Sequence, residues 1–131
     1  MNNKKFEYKN IIDSKPFGVL NIFELDKIPF TVKRIFSVTS SKNITRGFHA
    51  HHNCKQLLVC IKGKIEIITD DLKNKKKYVL EPNGKSVFIN KKVWAEQKYL
   101  ENNSVLLTFC DLEYDEGDYI RDYKDFLNII K

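Results

Sequence analysis

Between Phe30 and Ser104 the apolar residues fall in short β-branched and aromatic stretches separated by turn formers, with no helix of any length. Such patterning predicts an all-β sandwich or barrel. The stretches that read as strands are Phe30 to Val38, Gly47 to His52, Gln56 to Lys62, Lys64 to Asp70, Lys77 to Glu81, Lys85 to Ile89, Val93 to Tyr99 and Ser104 to Leu112. Leu57-Leu58-Val59-Cys60-Ile61 is apolar on both faces and therefore belongs in the middle of a sheet. Ile65, Ile67 and Thr69 alternate with Lys64, Glu66 and Ile68, so the following strand has one wetter face. Gly63 joins these two strands and supplies the backbone freedom of a tight hairpin turn. Pro82-Asn83-Gly84 is a turn by composition. Beyond the last strand the period changes: Tyr123, Phe126, Leu127 and Ile130 recur at 3- and 4-residue spacing, which predicts a short amphipathic helix. Asp122 is placed to cap it, with Asp125 three residues on. The chain shows no internal repeat or linker, so residues 1–131 are expected to form a single domain.

Composition narrows the functions open to such a domain. An apolar content of 42% with nine Phe and six Tyr suffices for one core. The formal charge of +6 includes the run Lys73-Asn74-Lys75-Lys76-Lys77, read as a solvated hairpin tip because like charges repel and seek water. That run has neither arginine nor an aromatic stacking platform, so a nucleic-acid surface is not indicated, and the basic balance suits an anionic small molecule. Cys54, Cys60 and Cys110 form no CxxC pair, which argues against a disulfide framework and a zinc-thiolate site. A reducing cytoplasm is the expected compartment. No apolar run approaches the ~18 residues of a membrane span, and the first residues lack the apolar core of a signal peptide, so no membrane partner is expected.

The chemistry concentrates in Arg46-Gly47-Phe48-His49-Ala50-His51-His52. Residues two apart on a strand share a face, so His49 and His51 converge while Ala50 and His52 point the other way. Paired imidazoles serve either a metal or proton transfer. Short strands with an early His-x-His resemble the cupin superfamily, whose double-stranded β-helix holds its site inside the barrel. In that resemblance the metal set continues with a Glu and a later His, but here the Glu position is Gln56 and no histidine follows Gly84. A divalent cation needs three or four good donors, and an amide oxygen is a poor one. No metal and no other cofactor is expected, which leaves two imidazoles, ordinarily titrating near ~6.5, for acid-base work.

A closer resemblance covers nearly the whole chain. Ile12-Asp13, Ile28-Pro29-Phe30, Lys33-Arg34-Ile35, Arg46-Gly47-Phe48-His49-Ala50-His51, Gln56-Leu57-Leu58-Val59-Cys60, Val93-Trp94 and the block from Tyr114 to Tyr123 resemble the cupin-type dTDP-4-keto-6-deoxyhexose 3,4-ketoisomerases. That resemblance implies an enzyme moving a ketone from C4 to C3 of a dTDP-linked 4-keto-6-deoxysugar through an enediol, in the supply of 3-amino sugars for bacterial surface polysaccharide. It implies His51 as the base at C3 and His49 as the shuttle between oxygens, with the reverse assignment open, and a homodimer with exchanged N-terminal strands.

Arg34 and Arg46 are the candidates for the pyrophosphate, because guanidinium forks match phosphate oxygens. Gln56 is a candidate for a sugar hydroxyl or a histidine, Trp94 for either core or ligand contact, and Arg121, with Asp118 and Tyr119, for substrate binding or for locking the C-terminal segment onto the barrel. The chain departs from the family pattern at Phe36 and Ser37, where tyrosines are common, at Ala95 after Trp94, and at His52. Two other readings stay open: a non-catalytic nucleotide-sugar-binding cupin, and a 3,5-epimerase acting on the same ketosugar.

Overall fold

Two five-stranded antiparallel sheets face one another, in a computed structural model that describes residues 4–7, 11–13, 17–82 and 85–131. The strands are β1 (Lys4–Glu7), β2 (Ile11–Asp13), β3 (Val19–Asn21), β4 (Arg34–Ser40), β5 (Thr45–His51), β6 (Gln56–Lys62), β7 (Ile65–Asp70), β8 (Lys75–Leu80), β9 (Lys85–Ile89), β10 (Trp94–Tyr99), β11 (Ser104–Cys110) and β12 (Tyr119–Ile120), followed by helix α1 (Tyr123–Ile130). One sheet runs β1-β9-β6-β11-β4, the other β12-β5-β10-β7-β8, and β2 and β3 pair with each other. This is the all-β architecture that the strand pattern predicts, in the double-stranded β-helix form that the cupin resemblance implies. The expected turn at Pro82-Asn83-Gly84 lies outside the described residues at Asn83 and Gly84.

β6 occupies the centre of its sheet, and Gln56 to Cys60 are buried along their length, as apolarity on both faces requires. Its inward side chains, Leu58 and Cys60, join Ile65, Ile67, Leu80, Val87 and Leu106 in the core between the sheets. Its outward ones, Leu57 and Val59, join Phe88 and Phe109 beneath Ile28 and the half-buried Phe30 and Val32. Removing each such side chain from water contributes ~1.5–3 kcal/mol. Gly63 sits at φ +82°, and a Cβ there would run into Ser104, whose hydroxyl accepts from the Lys64 N–H at 3.1 Å, so the hairpin turn tolerates little else.

Most strand ends shift by one or two residues from those expected, and two shifts have a clear tertiary reason. Residues 28–32 do not form the start of a strand, because they cross the outer face of the β6 sheet, with Phe30 against Phe88 at 6.2 Å between ring centroids. Pairing with β11 begins only at Arg34, opposite Cys110. The lysine run is only partly a hairpin tip: the turn is at residues 71–74, and Lys75, Lys76 and Lys77 open β8, an edge strand. Lysines on an edge discourage pairing with a further chain. The helix forms as predicted, with the Asp125 N–H donating to Asp122 Oδ1 at 3.1 Å. Phe126 packs from α1 onto Ala50, Trp94 and Ile120, on the outside of the second sheet. Among the described residues, no helix is long and apolar enough to cross a membrane.

Candidate active site

The site grows from an irregularity in β5. Arg46 pairs with Gln97 and Gly47 with Glu96, yet His49 pairs with Ala95, so Phe48 is an extra residue on β5. Gly47 at φ +94° and Phe48 at φ +55° absorb the bulge. In an unbroken strand Arg46 and His49, three apart, would face opposite sides. The extra residue turns Arg46 onto the face of His49, and both line a cavity of about 190 Å³ with Gln56, Gln97, Tyr119 and Arg121. Gly47 is also sterically required there, since a Cβ would lie 2.9 Å from the Ala95 carbonyl oxygen and from Gln97 Oε1.

His49 and His51 converge as their spacing predicts, with ring centroids 4.9 Å apart and planes at 90°. Ala50 turns instead into the contact under α1. Each imidazole has its Nδ1 against an acceptor. His49 Nδ1 donates to the Gly47 carbonyl at 3.1 Å, and His51 Nδ1 donates to Asp118 Oδ2 at 3.0 Å. The tautomer of His51 follows from the company Asp118 keeps. Its Oδ1 accepts from the Asn53 N–H at 2.8 Å and its Oδ2 from the Cys54 N–H at 3.2 Å, so the aspartate acts as an acceptor and the His51 proton sits on Nδ1. His51 Nε2 is left bearing a lone pair, buried and without a partner.

The electrostatics favour neutral rings. Burial, then the neighbouring His49, lowers the pKa of His51 to about 4, against the opposing hydrogen bond and charge of Asp118. His49 is also lowered, chiefly by burial, with its bond to Gly47 opposing. Tyr119 lies over both rings, with centroids 4.4 Å from His51 and 5.0 Å from His49. The Arg121 guanidinium also stands over Tyr119, 4.3 Å from the ring centroid, and is held by Glu116 at 2.6 and 3.0 Å. Two imidazoles that burial holds toward the neutral form, His49 on the wall of a cavity rimmed by Arg46 and Arg121 and the buried His51 packed against it, are placed to take and return protons beside an anionic ligand.

The remaining predicted residues divide between the cavity and its surroundings. Gln56 lines the cavity while its Nε2 donates to Cys110 Sγ at 3.5 Å. Arg34 lies behind the wall: its Nη2 also donates to Cys110 Sγ at 3.5 Å, its guanidinium stacks over Phe36 and Tyr114, and its buried Nε has no partner. Trp94 is not on the cavity wall. It packs against Tyr123 and Phe126 on the far face of β10 and donates from Nε1 to Glu96 at 3.0 Å. Phe36 does line the cavity, whereas Ser37 is exposed.

Three residues gain roles that sequence reasoning did not assign: Asp118 behind His51, Tyr119 across both rings, and Gln97 beside Arg46. The only signal for the first two was the block from Tyr114 to Tyr123, which also locks the segment down through β12 paired on β5 and the His52 N–H donating to the Asp118 carbonyl at 2.9 Å. Gln97 carried none. His51, Cys54 and Asp118 place three ligand-type atoms within 4.8 Å of one another. Their chemistry suits protons better than a cation: Nδ1 is already bonded to the carboxylate, and the Cys54 thiol is pushed well up by its bond to Cys110 and by burial.

Comparison with known proteins points the same way. The family described as "FdtA: WxcM-like, C-terminal" matches residues 1–131. The TDP-4-oxo-6-deoxy-alpha-D-glucose-3,4-oxoisomerase of Aneurinibacillus thermoaerophilus is 34% identical over 131 residues, 99% of this chain and 94% of that protein. A 3,4-ketoisomerase from Helicobacter canadensis superposes with a TM-score of 0.89 at 32% identity, covering 99% of this chain and 98% of that one. A mutant of the 3,4-ketoisomerase QdtA from Thermoanaerobacterium thermosaccharolyticum, in complex with TDP-4-keto-6-deoxyglucose, superposes with a TM-score of 0.88 at 30% identity, covering 98% and 94%.

Proposed function

This chain belongs to the FdtA/WxcM-like family of TDP-sugar 3,4-ketoisomerases, and from that premise we propose that it moves the ketone of dTDP-4-keto-6-deoxy-D-glucose from C4 to C3 through an enediol. The observation that carries the reading is the pair of neutral imidazoles, one fixed by Asp118 so that its Nε2 lone pair is free. The hydrogen on C3 is acidified by the neighbouring C4 ketone. His51 Nε2 takes it, and the electron pair moves to the C3–C4 bond as charge develops on the C4 oxygen. His49 accepts the proton of the C3 hydroxyl and delivers it to the C4 oxygen, and His51, after exchange with solvent, returns a proton to C4 as the ketone forms at C3. Net change is one hydrogen from C3 to C4 and one proton from oxygen to oxygen, with no electron acceptor required. General acid and base steps of this kind contribute ~10²–10⁴-fold each.

Arg46 and Arg121, both on the cavity wall, are assigned to the pyrophosphate, and Gln56 and Gln97 to sugar hydroxyls. Arg34 supports the wall through Cys110, and Trp94 supports α1. A homodimer with exchanged N-terminal strands fits the apolar side chains left exposed before β4, among them Phe17 at 91% and Leu20 at 55%. Three free, buried cysteines fit a reducing cytoplasm. The product feeds 3-amino-sugar synthesis for surface polysaccharide.

The test is proton NMR of dTDP-4-keto-6-deoxyglucose with the protein in deuterated water. Isomerisation places solvent deuterium at C4 of a 3-keto product. Exchange at C3 and C5 with the ketone retained at C4 would mean epimerisation instead, and an unchanged spectrum would leave a nucleotide-sugar-binding protein without turnover.

A further inference from the structure

A second cavity, of about 360 Å³, opens where the turn at residues 71–74 meets the turn at residues 90–93, and it shares no lining residue with the catalytic one. Lys73, Lys76, Lys91 and Lys92 line it, against one carboxylate, Asp71. Asp71 Oδ1 is already occupied by the N–H groups of Lys73 and Asn74, at 3.0 and 2.7 Å. The nearest further acid along the chain, Asp70, is spent on the Leu72 N–H at 2.9 Å and the Tyr123 hydroxyl at 2.7 Å. None of the four lysines forms an ion pair among the described residues.

A second, independent feature lies on the same wall. Thr69, directly opposite Lys76 in the β7–β8 ladder, is 1% exposed, and its hydroxyl has no hydrogen-bond partner. A buried hydroxyl left unpaired is destabilising, so a group that accepts from it is favoured by the protein itself. Several ammonium groups around an unpaired donor, in a concave space, are complementary to a ligand with many anionic oxygens. The volume falls in the range of small-molecule pockets, roughly 300–1,000 Å³, and exceeds what a single small ion needs.

We propose that this cavity is a second anion site, distinct from the isomerase cavity, that takes a diphosphate group, either as free pyrophosphate or as the diphosphate of a nucleotide. Lysines supply the charge and Thr69 donates to a phosphoryl oxygen.

Calorimetric titration of the full-length protein with inorganic pyrophosphate, and separately with dTDP, tests it. Pyrophosphate should bind wild-type protein with an affinity that falls as salt rises. The K76Q/K91Q double variant should bind it roughly tenfold or more weakly, and T69V should also bind it more weakly. Both variants should keep the kcat/KM of the wild type, and R46A should keep pyrophosphate binding. A second dTDP site that disappears in K76Q/K91Q assigns the cavity to nucleotides; a single dTDP site lost only in R46A assigns it to free diphosphate. Unchanged pyrophosphate affinity in K76Q/K91Q, or its loss in R46A, overturns the proposal. These are binding readouts, so they stand whether or not the protein turns over a ketosugar.

Discussion

Replacing Asp118 with asparagine tests the dyad behind the proposed base, because one group there meets three N–H donors. Its oxygens accept from His51 Nδ1 at 3.0 Å, the Asn53 N–H at 2.8 Å and the Cys54 N–H at 3.2 Å. An amide has a single oxygen. Turned toward His51 and Cys54, it preserves the tautomer but presents its NH₂ to the Asn53 N–H and removes the negative charge. Turned toward Asn53, it faces Nδ1 with donors, which drives the His51 proton onto Nε2 and abolishes the lone pair. A hydrogen bond to a charged partner is worth ~1.5–3 kcal/mol, so loss of charge alone slows kcat by ~10–10²-fold. Inversion of the tautomer raises the loss toward ~10⁴-fold, as when an aspartate behind a catalytic histidine becomes an amide.

The assay is the initial rate of 3-keto product by NMR, with KM determined separately and folding checked by circular dichroism. KM should change little, since Asp118 is not on the cavity wall. Asp118 opposes the downward shift of His51, so the acid limb of the residual activity should move to lower pH. A folded D118N enzyme with kcat within about threefold of wild type would refute the assigned tautomer and with it the role of Nε2.

Other outcomes follow from the same geometry. With His51 lowered to about 4 and His49 also below its ordinary 6.5, the acid limb of kcat/KM should lie below pH 6.5 rather than at it. The unfolded chain takes up the His51 proton near 6.5 while the folded one refuses it. Stability is therefore fully present above 6.5 and is lost as pH falls toward 4, by ~3 kcal/mol for this group, measurable as urea midpoints across that window. G47A should lose ~1–3 kcal/mol in urea unfolding and raise KM, because φ +94° and the fixed Ala95 carbonyl at 2.9 Å both resist a Cβ and the bulge aims Arg46. W94F should cost ~1 kcal/mol of stability through the lost Glu96 bond and leave KM within about twofold, since the indole packs under α1.

Local periodicity made much of the scaffold legible. β6 and β9 span the residues that read as strands, Gly63 marks its hairpin, and Asp122 caps α1, because side-chain alternation and turn chemistry act over a few residues. The convergence of His49 and His51 was readable for the same reason. Trp94 was not: its alternation gives a face but not which face meets ligand, and only the docking of Phe126 shows that it is covered by α1.

The sequence by itself determined an all-β domain, two imidazoles on one face, and the lack of a carboxylate at Gln56 that a metal site would want. Tertiary structure alone decided that Arg46 joins those imidazoles, through a bulge that alternation cannot foresee, and that Asp118, 67 residues from His51 along the chain, sets its proton. The division is physical. Alternation follows from bond geometry between neighbours, whereas a bulge's register and a proton's position depend on the partner strand and on three donors meeting one carboxylate.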